Sequence, residues 1–291
     1  DWFKVFFDDF QKLPPLKKTF VINAFFESNK IEDICNNKIQ PTKHEHLPKP
    51  VRESTKKLFI GLYGLLSKNE LLNKSDHEEK FKTENGKVCC ICGLETISHY
   101  DHYLPKGAEN PIYPLSSVNL HNLLPMCSKC NGSKSSTDIL YATNGKIKRV
   151  QVFYPYCGFE TFKNVEFTLK YTRIGLFGEG RWEVVKTDNK ALSNKDKNKI
   201  KIWYEFFDIQ ERFTKEVCCH YITWLGSMSE RHKTIEEMVS FYVPTKNSLK
   251  SEAGLMPKWL FFKLLQDDES VRNVVYPKKK TAEDPNELLS S

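Results

Sequence analysis

The sequence predicts an α+β protein: a small cysteine-scaffolded core between an N-terminal helical region and a C-terminal region of strands followed by helices. Three observations carry this. Aromatic and leucine residues near the N-terminus recur at helical spacing. Two Cys-x-x-Cys pairs stand 34 residues apart in the middle of the chain. Three runs rich in β-branched or aromatic residues follow, after which apolar residues again step by three or four. The expected organisation is a helical region at 1–80, a motif core at 81–140, and basic strands followed by helices at 141–291.

The elements follow in order. Phe3, Phe6, Phe7 and Phe10 hold an i, i+3, i+4, i+7 pattern, which Pro14-Pro15 breaks. Phe20, Val21, Ala24 and Phe25 resume it as a second helix. Residues 37–50, with Pro41, Pro48 and Pro50, read as a loop. Leu58, Leu62, Leu65 and Leu66 make 51–73 an amphipathic helix, and the polar stretch from Lys74 to Gly86 reads as a linker. Strands are expected at 146–156, 165–171 and 181–186, with Gly175, Gly178 and Gly180 at the last turn. Ile202, Phe206, Ile209, Phe213, Val217, Tyr221 and Trp224 then keep helical steps. Further helices are expected at 234–243 and 256–267, and a fraying polar tail from Pro277.

Composition narrows the class. The chain has 291 residues, of which 40% are hydrophobic and 13% aromatic, so it can bury a core and is not of disordered type. No apolar run approaches the roughly 20 residues that span a bilayer, so no membrane partner is expected. The start, Asp1-Trp2-Phe3-Lys4, has neither a basic segment nor a small-residue cleavage site, so no signal peptide is expected. Nine cysteines, an odd number with clustered spacing, favour metal ligation in a reducing, cytoplasmic setting over disulfides. Net charge is +7, and residues 145–201 alone hold 13 Lys/Arg against 6 Asp/Glu. A basic excess just after the motif suits a polyanion, although a solvated lysine surface would look the same. Tyr154, Tyr156, Tyr171 and Trp182 lie among these cations, placed either to stack on bases or, more commonly, to form strand core.

The motif carries the chemistry. Cys89 and Cys92 form the first pair, and Cys127 and Cys130 the second. Four thiolates in two close pairs suit a tetrahedral structural Zn²⁺, with zinc–sulfur distances of about 2.3 Å. Cys90 beside Cys89 leaves the first ligand open, though Cys89 keeps the two-residue gap. Cys35, Cys157, Cys218 and Cys219 have no such spacing and read as small buried hydrophobes.

Between the pairs stand Asp101-His102-Tyr103-Leu104-Pro105-Lys106 and Asn122-Leu123, and Asn131-Gly132-Ser133-Lys134 follows the last cysteine. Phosphodiester hydrolysis needs a base for water, a counter-charge at phosphorus and a neutralised leaving oxygen. A neutral histidine meets the first need and a divalent ion the other two. Adjacent Asp101 and His102 project oppositely from a strand, so one can hold metal while the other faces water. Asn131 offers a hard amide oxygen, Asn122 a hydrogen bond to orient His102, and Lys106 and Lys134 charges for phosphate. His99 and His121 read as surface or hydrogen-bonding residues.

This order of Cys-x-x-Cys, Asp-His-x-x-Pro, Asn-Leu and Cys-x-x-Cys-Asn-x-x-Lys resembles the HNH endonucleases, also called ββα-metal or His-Me finger nucleases. The resemblance covers about 50 residues. It implies that His102 is the general base, that Asn122 orients it, and that Asp101 and Asn131 hold a catalytic Mg²⁺ or Mn²⁺. It also implies that the four cysteines hold structural Zn²⁺. Two departures are visible. Asn131 stands where a histidine is usual, and Gly107 stands alone where a Gly-Gly pair is usual. The wording of the motif looks like HNH proteins of bacterial defence loci, some of which work beside an ATPase. The expectation is therefore a metal-dependent nuclease of anti-phage defence or restriction, with DNA favoured over RNA on family grounds. One HNH site cuts one strand, so a homodimer is a possible partner state. The alternatives are an RNA-cleaving, for example tRNA-cleaving, enzyme and a non-catalytic zinc-stabilised binding module.

Overall fold

A computed structural model describes residues 1–68, 82–83, 86–107, 112–141, 148–157, 165–174, 180–188, 192–221 and 255–275. The architecture is α+β: among the described residues, helices with three two-stranded sheets. The expected helix at 234–243, Trp224, the tail from Pro277 and most of the linker lie outside the described residues. The chain divides into two compact units, the larger built from residues 1–166, 188–209 and 251–253.

In the larger unit α1 spans Trp2–Gln11 and α2 spans Pro15–Ser28. Asp1 caps α1 by accepting from the N–H groups of Phe3 and Lys4 at 3.2 and 3.4 Å. Pro15 opens α2, where its missing N–H costs nothing. The phenylalanine stripe divides. Phe6 and Phe10 pack on a core of Leu13, Val21 and Val51, whereas Phe3 and Phe7 are each 58% exposed. Helix α3, Ile31–Cys35, leads through a loop and a 3₁₀ turn at His44–His46 into α4, Lys49–Lys68. Helix α1 lies along α4, and Gly61 allows it: a Cβ there would stand 2.7 Å from the Trp2 ring.

The expected polar linker ends in structure. Strands β1, Lys82–Thr83, and β2, Gly86–Lys87, pair antiparallel. The motif core adds β3, His99–His102, paired antiparallel with β4, Leu123–Met126. The register sets Asp101 opposite Leu124 and His102 opposite Leu123. Helix α5, Ser128–Lys134, follows β4 directly, capped by Cys127.

The strand expected from residue 146 is absent among the described residues; 148–157 is irregular chain and turn. The Val150 and Val152 N–H groups bond the Leu140 and Cys35 carbonyls, which lie in no strand. Val152, Phe153 and Tyr154 are consecutively buried, so the segment packs without a ladder. Helix α6, Asn194–Phe206, closes the unit by turning Ile200 and Trp203 inward. Trp203 Nε1 donates to the Ile91 carbonyl at 2.9 Å, inside the first cysteine turn.

The smaller unit takes most of β5, Val165–Arg173, and β6, Gly180–Asp188, which pair as expected. It also holds α7, Ile209–Glu216, apart from its first residue, with α8, Leu255–Asp267, and α9, Glu269–Val275. Phe167 meets Phe213 at 5.3 Å, and Trp182 meets Phe261 at 5.7 Å between ring centroids. The helical run expected from 202 is broken between α6 and α7 at Asp208, whose φ is +50°. Before the break the inward stripe of α6 runs through Ile200 and Trp203 to the cap residue Phe207, so Phe207, not Phe206, is fully buried. No described helix is long and apolar enough to cross a membrane.

Candidate metal centre and catalytic cleft

The cysteine scaffold is formed first by local turns. In the first turn Gly93 N–H returns to the Cys89 carbonyl at 2.9 Å, and Leu94 N–H points at Cys92 Sγ. Gly93 sits at φ +63°, a region that favours glycine. In the second, Cys130 N–H points at Cys127 Sγ at 3.5 Å. The two turns bring the sulfurs of Cys89, Cys92, Cys127 and Cys130 within 4.8 Å of one another, all four residues buried. Cys92 and Cys127 stand 3.8 Å apart, the spacing that a tetrahedral ion with bonds of about 2.3 Å imposes. The donor set fits a structural metal such as zinc. Cys90 is not one of the four; its N–H instead ties the turn to the Pro125 carbonyl of β4 at 3.1 Å. The thiols of Cys130, Cys89 and Cys92 are aimed at the Cys127 sulfur and lower its pKa.

This scaffold places β3, β4 and α5, and with them the expected chemical residues. His102 is only 3% exposed. Its Nε2 lies 2.7 Å from the backbone carbonyl of Ser117. A carbonyl only accepts, so Nε2 carries the proton, and Nδ1 is the bare nitrogen of the neutral ring. Burial is the main cause that lowers the His102 pKa to about 3, with Lys106 adding to it. The ring is therefore neutral at ordinary pH.

Asn122 is fully buried but acts on the chain that surrounds His102. Its Oδ1 accepts from Leu104 N–H at 2.7 Å, and its Nδ2 donates to the Leu104 and Ser116 carbonyls at 3.0 and 3.2 Å. Leu104 lies two residues after His102, and Ser116 is the neighbour of Ser117. Asn122 thus pins both ends of the loop that holds the imidazole, rather than the imidazole itself.

Asp101 projects to the other face of β3, with its side chain 27% exposed. Its Oδ2 accepts from Lys134 Nζ at 3.0 Å, leaving Oδ1 as the oxygen it can offer a cation. Asn131, half-buried, precedes Lys134 by one turn of α5 and so shares the helix face that meets Asp101. A carboxylate and an amide oxygen are donors of the hard type that Mg²⁺ and Mn²⁺ take.

The two lysines differ from each other. Lys134 is fully buried, paired with Asp101 and bonded to the Ser135 carbonyl at 3.2 Å, so its contact is with the acid and not an exposed phosphate. Burial lowers its pKa, and Asp101 opposes that. Lys106 is half-buried, with its pKa lowered to about 8 by desolvation. It caps the ring of Tyr63, 3.3 Å from the centroid.

Tyr63, Phe59 and Ser117 are the residues that sequence reasoning missed. Tyr63 meets the His102 ring at 4.5 Å and 74°. The Phe59 carbonyl accepts from Ser117 Oγ at 3.0 Å. No sequence signal marks Phe59 and Tyr63, because α4 lies outside the motif and reaches it only in three dimensions. Ser117 lies within the motif region but acts through its backbone carbonyl, which no residue type signals. Of the other expected residues, His99 meets Ser128 Oγ at 3.2 Å at the surface, and His121 packs against Tyr156. The Tyr154 and Tyr156 hydroxyls donate to the His121 and Leu123 carbonyls at 2.8 and 2.6 Å, so both are used in packing. Arg149 and Lys199 in the basic stretch serve the fold, reaching the Ile34 carbonyl and Asn36 Oδ1.

A segment of 59 residues is 42% identical to Septu protein PtuB of Bacillus thuringiensis. The match covers 19% of this chain and 21% of that protein, so the chain spans about a fifth of the length of the relative it matches. No family model matches the chain, and no solved structure matches it.

Proposed function

We propose that the protein is a metal-dependent HNH-type endonuclease that hydrolyses DNA phosphodiester bonds. The observation that carries this reading is His102. Its Nε2 proton is committed to the Ser117 carbonyl, burial keeps the ring neutral, and Nδ1 is left to take a proton from water. Its neighbour Asp101 faces the opposite side of β3 and pairs with Lys134, one helical turn after Asn131, which suits a water-activating base with a metal site on the other face. A divalent ion held by Asp101 and Asn131 would offset charge at the phosphate and on the leaving oxygen. His102 accepts the proton of the attacking water. Lys106, near the imidazole and half exposed, supplies a positive charge for a non-bridging phosphate oxygen. The cysteine cluster takes no part in the chemistry and fixes where β3 and α5 stand.

The similarity to a Septu protein supports a role in anti-phage defence or restriction. That reading brings with it a partner from the same defence system, such as an ATPase. The test incubates the protein with plasmid, linear DNA and total RNA, with and without Mg²⁺ or Mn²⁺, beside His102→Ala. Cleavage of DNA that needs metal and is lost in the variant is the expected result. Cleavage retained by His102→Ala would overturn the base assignment. Cleavage of RNA alone would change the substrate, and no cleavage by the wild type would leave a binding module.

A further inference from the structure

We propose that Tyr63 is a positioning residue of the catalytic cleft, although it lies on α4, outside the cysteine-bracketed motif; this deepens the endonuclease reading and rests on it. Helix α4 touches the imidazole by two routes. The Tyr63 ring meets the His102 ring at 4.5 Å with an interplanar angle of 74°. One turn earlier, the Phe59 carbonyl accepts from Ser117 Oγ at 3.0 Å, and the Ser117 carbonyl takes the His102 Nε2 proton at 2.7 Å. Residues 59 and 63 are i and i+4, so both routes leave one face of the helix. The Ser117 carbonyl selects the Nε2-protonated tautomer only while the imidazole faces it, and the Tyr63 ring holds the imidazole in that plane and so sets where Nδ1 points.

The same tyrosine also places a charge. Lys106 Nζ sits 3.3 Å from the Tyr63 ring centroid, over the negative face of the π system. A long, flexible side chain is thereby held beside the base instead of sampling solvent. The aromatic face is what does this; an aliphatic side chain fills the same space but offers no attraction to an ammonium. The phenol hydroxyl is engaged with Ser67, away from both the His102 ring contact and the Lys106 ammonium contact, which the ring itself makes. The aromatic ring is therefore the functional part, and phenylalanine should replace it.

The experiment compares the intact wild-type chain with Tyr63→Phe, Tyr63→Leu and Tyr63→Met. Metal analysis and thermal unfolding first establish that each variant holds zinc and folds; the second aliphatic variant serves if the first does not. Two readouts follow. In cleavage of linear DNA, the aliphatic variants should lose at least about tenfold in kcat with KM changed by less than about threefold, since small misplacement of a base is costly. Tyr63→Phe should restore the wild-type rate to within about twofold. In ¹⁵N side-chain NMR, the His102 ring should show a single Nε2-protonated tautomer in the wild type and in Tyr63→Phe. In the aliphatic variants it should show a mixture. Because the NMR readout needs no catalysis, a wild type that fails to cleave overturns the nuclease reading alone, and the tautomer then decides the role of Tyr63. A folded aliphatic variant with a wild-type tautomer, or with a wild-type kcat in an active enzyme, overturns the proposal.

Discussion

Moving the protein from pH 7.5 to pH 5.0 should cost about 2 kcal/mol of folding stability through His102 alone. In the folded chain the His102 pKa is lowered to about 3, against an ordinary 6.5. Between those values the unfolded chain binds a proton at this position that the folded chain refuses. Stability is therefore fully present above pH 6.5, falls as the pH drops toward 3, and changes no further below that. At pH 5.0 the unfolded histidine lies about 1.5 units into its titration, and each unit is worth about 1.4 kcal/mol. The ring is only 3% exposed, so solvent screening takes little from this figure. The assay is urea unfolding at both pH values, in the wild type and in His102→Gln. Glutamine does not titrate but can still donate to the Ser117 carbonyl. Acid effects on the cysteine cluster and on surface carboxylates are common to both proteins and cancel in the comparison. The wild type should lose about 2 kcal/mol more than the variant. An equal loss in the two proteins would refute the claim that the fold holds this imidazole neutral.

The remaining predictions concern the scaffold and the cleft. Cys127→Ser should abolish stoichiometric zinc binding and destabilise the β3–β4–α5 core, followed by metal analysis and circular dichroism; a metal-free variant that is fully folded contradicts a structural site. Asn122→Ala should cost at least about 2 kcal/mol in chemical denaturation, because the Leu104 N–H and two buried carbonyls lose their partner. The affinity for duplex DNA should weaken as the pH rises through about 8, where Lys106 loses its charge, and Lys106→Arg should remove that dependence. An unchanged pH profile in the arginine variant would show that another group is titrating.

The helices and the cysteine cluster were legible because they obey short-range rules. The i, i+3, i+4 spacing of Phe3, Phe6, Phe7 and Phe10 specifies a helix whatever surrounds it. It does not say which of those rings is covered; α4 crosses at Phe6 and Phe10 and leaves Phe3 and Phe7 outside. The two-residue gap in each cysteine pair likewise dictates a turn with both sulfurs on one side. What was not legible depends on neighbours distant in sequence. Val152, Phe153 and Tyr154 have strand composition, but their segment meets carbonyls of α3 and of a 3₁₀ turn and gains no ladder. Lys134 looks like any solvated lysine in the sequence, yet the β3–α5 contact buries it on Asp101. Tyr63 belongs to a leucine-patterned helix, and nothing in that pattern points toward a histidine 39 residues later.

The loop that supports His102 is sewn down from far away. Ser116 Oγ reaches the Ser28 carbonyl at 2.6 Å, Asn119 Nδ2 the Asn29 carbonyl at 2.9 Å, and Ser117 Oγ the Phe59 carbonyl. These links span 88, 90 and 58 residues. The cysteine turns, by contrast, close within a few residues of each sulfur. Loop closure grows costlier with span, so the two parts have different places in the order of folding. The cysteine turns can form as the chain collapses, whereas the imidazole acquires its aim only when α2 and α4 have docked. Pulse-labelled hydrogen exchange should accordingly protect the Gly93 amide before the Leu104 amide. A nascent or partly unfolded chain would thus carry a formed cysteine scaffold and an unaimed imidazole, so the proposed hydrolytic capacity would come only with completion of the whole N-terminal region.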